Sequence, residues 1–136
     1  MSARALAAQS HAGTGAGAKV KMFALGRLKV GQMNKTEAEY AALLEQMRHA
    51  GAVAWWKFEG VKLRLADNTF LTVDFAVMLS DGTLEMHDVK GSPRMFQEDA
   101  KVKMKVAAEL YPFVFKVAYP RSKRDGGGFR VEQYGR

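Results

Sequence analysis

The turn Ser80-Asp81-Gly82 constrains this chain more than any other feature, because it stands between the extended run Asp74–Leu79 and the alternating run Thr83–Lys90. A short turn containing glycine between two such runs predicts an antiparallel hairpin. With residues 80–82 as the loop, Leu79 faces Thr83, and counting back places Asp74 opposite Asp88. Directly opposed side chains on an antiparallel pair share one face, with Cβ atoms about 5 Å apart. Lys90 lies two residues beyond Asp88 and points the same way. That face reads Asp74, Ala76, Met78 on one strand and Leu84, Met86, Asp88, Lys90 on the other. A loop shorter by one residue would set Asp88 against Phe75 and send the two aspartates to opposite faces.

Around this hairpin the chain reads as a mixed α/β domain. Tyr40, Leu43, Leu44 and Met47 recur at helical spacing, so residues 36–50 are expected to form a helix that Gly51 stops. Extended segments follow at 53–59 and 61–65, and a third at 70–73 is expected to run on into 74–79, with Asp67-Asn68 as a turn. Gly91-Ser92-Pro93 ends the second hairpin strand and opens a helix over 95–110, which Pro112 closes. Residues 113–119 form a further strand, and 129–134 return as an edge strand after Gly126–Gly128. The order α-β-β-β-β-α-β predicts a central mixed sheet of four to five strands flanked by helices.

Composition bounds the chemistry. The chain has 136 residues, enough for one domain and too few for two ordinary ones. It holds no cysteine, which excludes disulfide frameworks, thiolate catalysis and Cys-based zinc sites. His11, His49 and His87 show no ligand spacing. No apolar run approaches the roughly 18 residues of a membrane span, and no apolar core of a signal peptide opens the sequence. The net charge of +7 is unevenly spread. Residues 1–36 carry six basic side chains and no acidic one, residues 116–136 six basic and two acidic, and the middle nine basic and twelve acidic. Nine of the thirteen glycines lie in the same two ends. We therefore expect a basic Ala/Gly-rich arm over 1–32, a folded domain over 33–120, and a basic Gly-rich extension over 121–136. The basic ends point to a polyanionic partner.

Two carboxylates at one strand end repel, and one is driven to keep its proton unless a cation lies between them. A hard divalent ion takes such oxygen ligands, and Lys90 beside it could orient an attacking water. The alternative is a solvated strand end with a weak Asp88–Lys90 ion pair. On the first helix, Glu37 looks towards the sheet and Glu39 more towards water, although Asn34-x-x-Glu37 and Thr36-x-x-Glu39 also match capping boxes. On the second helix, Phe96, Ala100, Lys103, Ala107 and Leu110 share a stripe, so Lys103 is expected to point inward, towards a phosphate or snorkelling to the sheet edge. Lys101 and Lys105 fall on the opposite side, a solvated face or further backbone contacts. Trp55 and Trp56 face opposite ways; one is expected in the core, and the other is open to packing or to stacking on a base.

In order, a helix glutamate, a strand aspartate, a D-x-K strand and a helix with an inward lysine resemble the PD-(D/E)XK nuclease superfamily. Within it, Lys35-Thr36-Glu37-Ala38-Glu39-Tyr40, Val73-Asp74-Phe75, Asp88-Val89-Lys90-Gly91 and the run 98–109 followed by Tyr111-Pro112 are similar to a phage-associated endonuclease group likened to Holliday-junction resolvases. The resemblance implies a restriction-endonuclease-like core and Mg²⁺-dependent hydrolysis of DNA, with Mn²⁺ as a substitute. Asp74, Asp88 and the Val89 carbonyl would hold the metal, Glu37 would complete its shell, and Lys90 would position the water. Lys103, Lys101, Lys105 and Arg94 would contact DNA. It further implies a branched or flapped substrate, a homodimer if that substrate is a four-way junction, and a phage or prophage protein in the bacterial cytoplasm. Val73 stands where the superfamily has proline. The competing classes are a non-catalytic nucleic-acid-binding module on the same scaffold and a basic membrane-surface protein.

Overall fold

The hairpin around Ser80–Gly82 forms the middle of the sheet in the computed structural model, which describes residues 31–135. The expected arm therefore lies outside the described residues except for its last two positions, and the unit discussed below begins at Lys35. Helix α1 spans Lys35–His49, β1 Val53–Phe58, β2 Lys62–Ala66, β3 Thr69–Thr72, β4 Phe75–Leu79 and β5 Leu84–Val89. Helix α2 spans Glu98–Leu110, β6 Val114–Pro120 and β7 Phe129–Tyr134. Five strands make one mixed sheet in the order β1-β4-β5-β6-β7, and β2-β3 form a separate two-stranded sheet. Only the β5–β6 pair is parallel, and α2 is its crossover. No described helix is long and apolar enough to cross a membrane.

The β4–β5 register is the one that the three-residue turn dictates: Phe75 pairs with His87, Ala76 with Met86 and Val77 with Glu85. Gly82 lies at φ 91°, the left-handed position that such a loop requires, and its N–H donates to the Leu79 carbonyl at 2.9 Å. Because side chains alternate, β5 sends Leu84, Met86 and Asp88 to one face and Glu85, His87 and Val89 to the other. The first face packs against α2 and β2 through Ala76, Met86, Met104, Ala107, Phe115 and Leu63. The second lies under α1, where the Tyr40 ring meets Phe75 at 5.4 Å and Phe129 at 5.0 Å, both edge-on.

Two expectations need correction. The extended run 70–79 is broken at Val73-Asp74, because β3 belongs to the hairpin that stands off the main sheet and β4 to the sheet itself. At the break, the Asp74 carbonyl accepts the Glu59 N–H at 2.8 Å, and Val73 N–H donates to Val61. The second helix begins at Glu98 and not at 95, after a 3₁₀ turn over Pro93–Met95. Phe96 precedes the helix and turns into the core against Tyr134, with ring centroids 5.3 Å apart. A stripe counted from Phe96 is therefore out of step with the helix. The buried residues are Met104, Ala107 and Ala108, while Lys103 and Leu110 face solvent. Lys103 does not point inward. Lys101 is the half-buried lysine, its Nζ 5.8 Å from the Phe96 ring and 3.7 Å from Glu98 Oε1.

Candidate active site

Sheet topology brings one set of ends together. β5 finishes at Val89 next to Ala118 of the parallel β6, where Lys90 N–H donates to the Ala118 carbonyl at 3.0 Å. β4 starts at this edge just after Asp74, and β7 starts here because it runs antiparallel to β6. Helix α1 leads into β1, which pairs antiparallel with β4, so its first turn with Glu37 stands above the same edge.

Asp74 is held there by its own side chain. Its Oδ2 accepts the Val89 N–H at 2.8 Å, a bond that ties the β4 entrance to the last residue of β5. Val73 just before it is buried, and its N–H bond to Val61 is one that a proline could not make. Asp88 is 7% exposed, and Lys90 Nζ lies 2.9 Å from its Oδ2. Burial first, then the charge of Asp88 and a hydrogen-bonding contact with it, push the Asp74 carboxyl up to about 8, with Glu37 adding to the rise and the Val89 N–H opposing it. Near neutral pH the pair therefore keeps a proton on Asp74. Burial lowers the Lys90 ammonium, but Asp88 foremost, then Asp74 and Glu37, hold it above its ordinary value. Lys90 is a cation in this setting.

The structure thus brings Asp74, Asp88 and Lys90 together, with Glu37 within electrostatic reach and half-buried while Glu39 is exposed. Among the described residues no three His, Cys, Asp or Glu side chains converge as ligands of one ion. A half-buried and a buried carboxyl side by side, with carboxylate oxygens as donors, fit a hard divalent cation, which would offset the burial and the Asp88 repulsion that keep Asp74 protonated. Arg94 is exposed on the 3₁₀ turn that follows the D-x-K strand, and Lys103 and Lys105 are exposed on α2. Neither tryptophan is a free stacking platform: Trp55 packs against the α2-side core, while Trp56 lies 5.9 Å from Phe75 and donates Nε1–H to Glu45 at 2.9 Å.

Beneath the carboxylates, on the α1 face, lies a polar chain that sequence reasoning missed. His87 Nε2–H donates to Glu85 Oε1 at 2.8 Å, Lys116 Nζ pairs with Glu85 Oε2 at 2.9 Å, and the Tyr40 hydroxyl meets His87 Nδ1 at 2.7 Å. With Nε2 carrying the proton, Nδ1 is the acceptor and Tyr40 the donor. Burial, then the Glu85 charge, raises the Tyr40 phenol and keeps that donor in place. Burial alone would raise Glu85, yet His87 and Lys116 hold it below its ordinary value. The signal was Glu85-x-His87 on a strand that is also apolar on its other face, but such alternation reads equally well as a solvated side. Comparison with protein-family models, curated proteins and solved structures finds no match to this chain.

Proposed function

We propose that this chain is a metal-dependent endonuclease of the PD-(D/E)XK type that hydrolyses DNA phosphodiester bonds. The observation that carries the reading is the pairing of Asp74 and Asp88 at one sheet edge, with Lys90 2.9 Å from Asp88. Supporting it, the antiparallel β1-β4-β5 meander leads through α2 into the parallel β6, an arrangement compatible with a restriction-endonuclease-like core.

Asp74, Asp88 and the Val89 carbonyl are the proposed donors to Mg²⁺, with Mn²⁺ as a substitute. When bound, the ion polarises a phosphoryl oxygen and lowers the pKa of a coordinated water. Such ions keep several waters, so Glu37, which acts on Asp74 by its charge, belongs to the outer shell. Lys90 supplies a fixed positive charge beside Asp88, where it orients the attacking water and opposes the negative charge that grows on the phosphate. The Val89 N–H fixes one oxygen of Asp74, and the chain Tyr40–His87–Glu85–Lys116 immobilises β5 from below. Arg94 and the lysines Lys101, Lys103 and Lys105 are proposed phosphate contacts. A branched or flapped DNA is the proposed substrate class, with a homodimer if the substrate is a four-way junction.

The test incubates the protein with Mg²⁺ and duplex, single-stranded, flap and four-way DNAs. Cleavage that is lost in EDTA and in Asp88→Ala supports the reading. Cleavage that persists in either refutes the site, and binding without cleavage across the panel favours a nucleic-acid-binding module.

A further inference from the structure

Beside the carboxylate edge stands the β6–β7 connection, residues 121–128, and its place follows from register. Ala118 is level with Val89, so the chain leaving β6 after Pro120 rises from the sheet just beyond Lys90. It returns at Phe129, which pairs with Pro120, and Arg130 pairs with Tyr119. Tyr119 shares the face of Asp88 and Lys90, because Val117 is the partner of Asp88 and side chains alternate. The Arg130 guanidinium lies 5.1 Å from the centroid of the Tyr119 ring.

The connection is built, not loose. Arg121 N–H donates to the Gly128 carbonyl at 2.9 Å, Gly127 N–H to Ser122 at 2.9 Å, and Gly126 N–H to Lys123 at 3.1 Å. Gly126, Gly127 and Gly128 all sit at positive φ, between 69° and 99°, a run that only glycine enters without strain. The loop's one carboxylate, Asp125, is taken by the Ser122 hydroxyl at 2.9 Å. That leaves Arg121, Lys123 and Arg124 exposed on a fixed frame, with Arg130 exposed at its foot. Residues 121–130 hold four basic side chains and one acidic one. Helix α2, in contrast, balances Lys101, Lys103 and Lys105 against Glu98, Asp99 and Glu109.

We propose that the β6–β7 connection, with Arg121, Lys123, Arg124 and Arg130, grips the phosphate backbone of duplex DNA beside the carboxylate edge and is the chief electrostatic contact of the described domain. The inference rests on the nuclease reading for its partner. A rigid frame of cations adjoining a phosphodiesterase edge places backbone phosphates next to Lys90 without reading sequence, as phosphate contacts position rather than specify. Arg130 is backed by the Tyr119 ring and has one guanidinium nitrogen 3.5 Å from the exposed Glu132 carboxylate, a weak surface pair that a phosphate would displace.

The test measures binding of a labelled duplex by the full chain in EDTA, so that no cleavage is required, as a function of salt. Each phosphate contact contributes about 0.9 to the slope of log K against log salt. The triple variant Arg121→Gln, Lys123→Gln, Arg124→Gln should therefore reduce the slope by about 2 to 3 and weaken binding on the order of 100-fold at ~0.15 M salt. Arg130→Gln should reduce it by about 1. The matched triple Lys101→Gln, Lys103→Gln, Lys105→Gln should lose less than the loop triple. Apart from the half-buried Lys101, these side chains are exposed, so thermal melts of the loop variants should stay near wild type. An unchanged slope in both loop variants, a greater loss in the α2 triple, or no duplex binding by the wild type would overturn the proposal. Cleavage that survives with binding unchanged in the loop variants refutes the grip and leaves the nuclease reading standing. Loss of binding in the loop variants of a protein that never cleaves does the reverse.

Discussion

Asp74→Asn should make the metal-free protein more stable, and the gain should grow with pH. In the unfolded chain Asp74 ionises near 3.9; in the fold its carboxyl is pushed up to about 8 by burial and by Asp88. Between these values the folded state holds a proton that the unfolded state has released, so stability falls as pH rises through that window. Above pH 8 the cost is complete. A displacement of about 4 units corresponds to a ceiling of about 5 kcal/mol at ~1.36 kcal/mol per unit. The Lys90 ammonium beside Asp88 and the half-buried setting of Asp74 reduce the expected figure to about 2 kcal/mol, or roughly 8 to 16 °C in Tm for a domain of this size. Asparagine keeps the structure: its carbonyl accepts the Val89 N–H that Asp74 Oδ2 accepts now, and its amide donates to Asp88 as the protonated acid does. The assay is thermal or urea unfolding of both proteins in EDTA at pH 5 and pH 9. The two should differ little at pH 5 and clearly at pH 9, with the variant the more stable. A variant no more stable than wild type at pH 9, or a difference that ignores pH, would refute the argument.

The polar chain under α1 predicts the opposite sign. Glu85→Ala leaves Lys116 and His87 without their shared carboxylate in a buried place and should cost about 3 kcal/mol or more in urea unfolding. Tyr40→Phe removes the donor to His87 Nδ1 and should cost roughly 1–3 kcal/mol. Met104→Ala empties a fully buried position on α2 and should cost about 2–5 kcal/mol, whereas Lys103→Ala should stay within roughly 0.5 kcal/mol. Equal effects at 103 and 104 would mean that the helix is phased as the Phe96 stripe suggests.

How much of this was legible in the sequence differs from element to element. The opposition of Asp74 and Asp88 follows from local rules, since a three-residue turn and a period of two leave one register. The α2 stripe failed for a tertiary reason. Phe96 enters the core from a 3₁₀ connection, so it gives no phase for the helix that follows, and Met104 takes the position assigned to Lys103. The break at Val73-Asp74 was hidden because Thr69–Thr72 and Phe75–Leu79 are each good strands, and only the sheet they join separates them. Nothing local marks Glu85 and His87 as buried; their burial comes from α1 laid across them and from Lys116 on the neighbouring strand, both distant in sequence.

The central claim is that Asp74, Asp88 and Lys90 form one metal-dependent phosphodiesterase centre, and nicking of supercoiled DNA in Mg²⁺ by wild type, Asp88→Asn and Lys90→Ala tests it most directly. The account predicts nicking by the wild type that EDTA abolishes, and a fall of at least about 100-fold in each variant, in line with the loss of a charge-stabilising or acid–base group. Undiminished nicking by either variant, or no nicking by folded wild type on any DNA with Mg²⁺ or Mn²⁺, would contradict it.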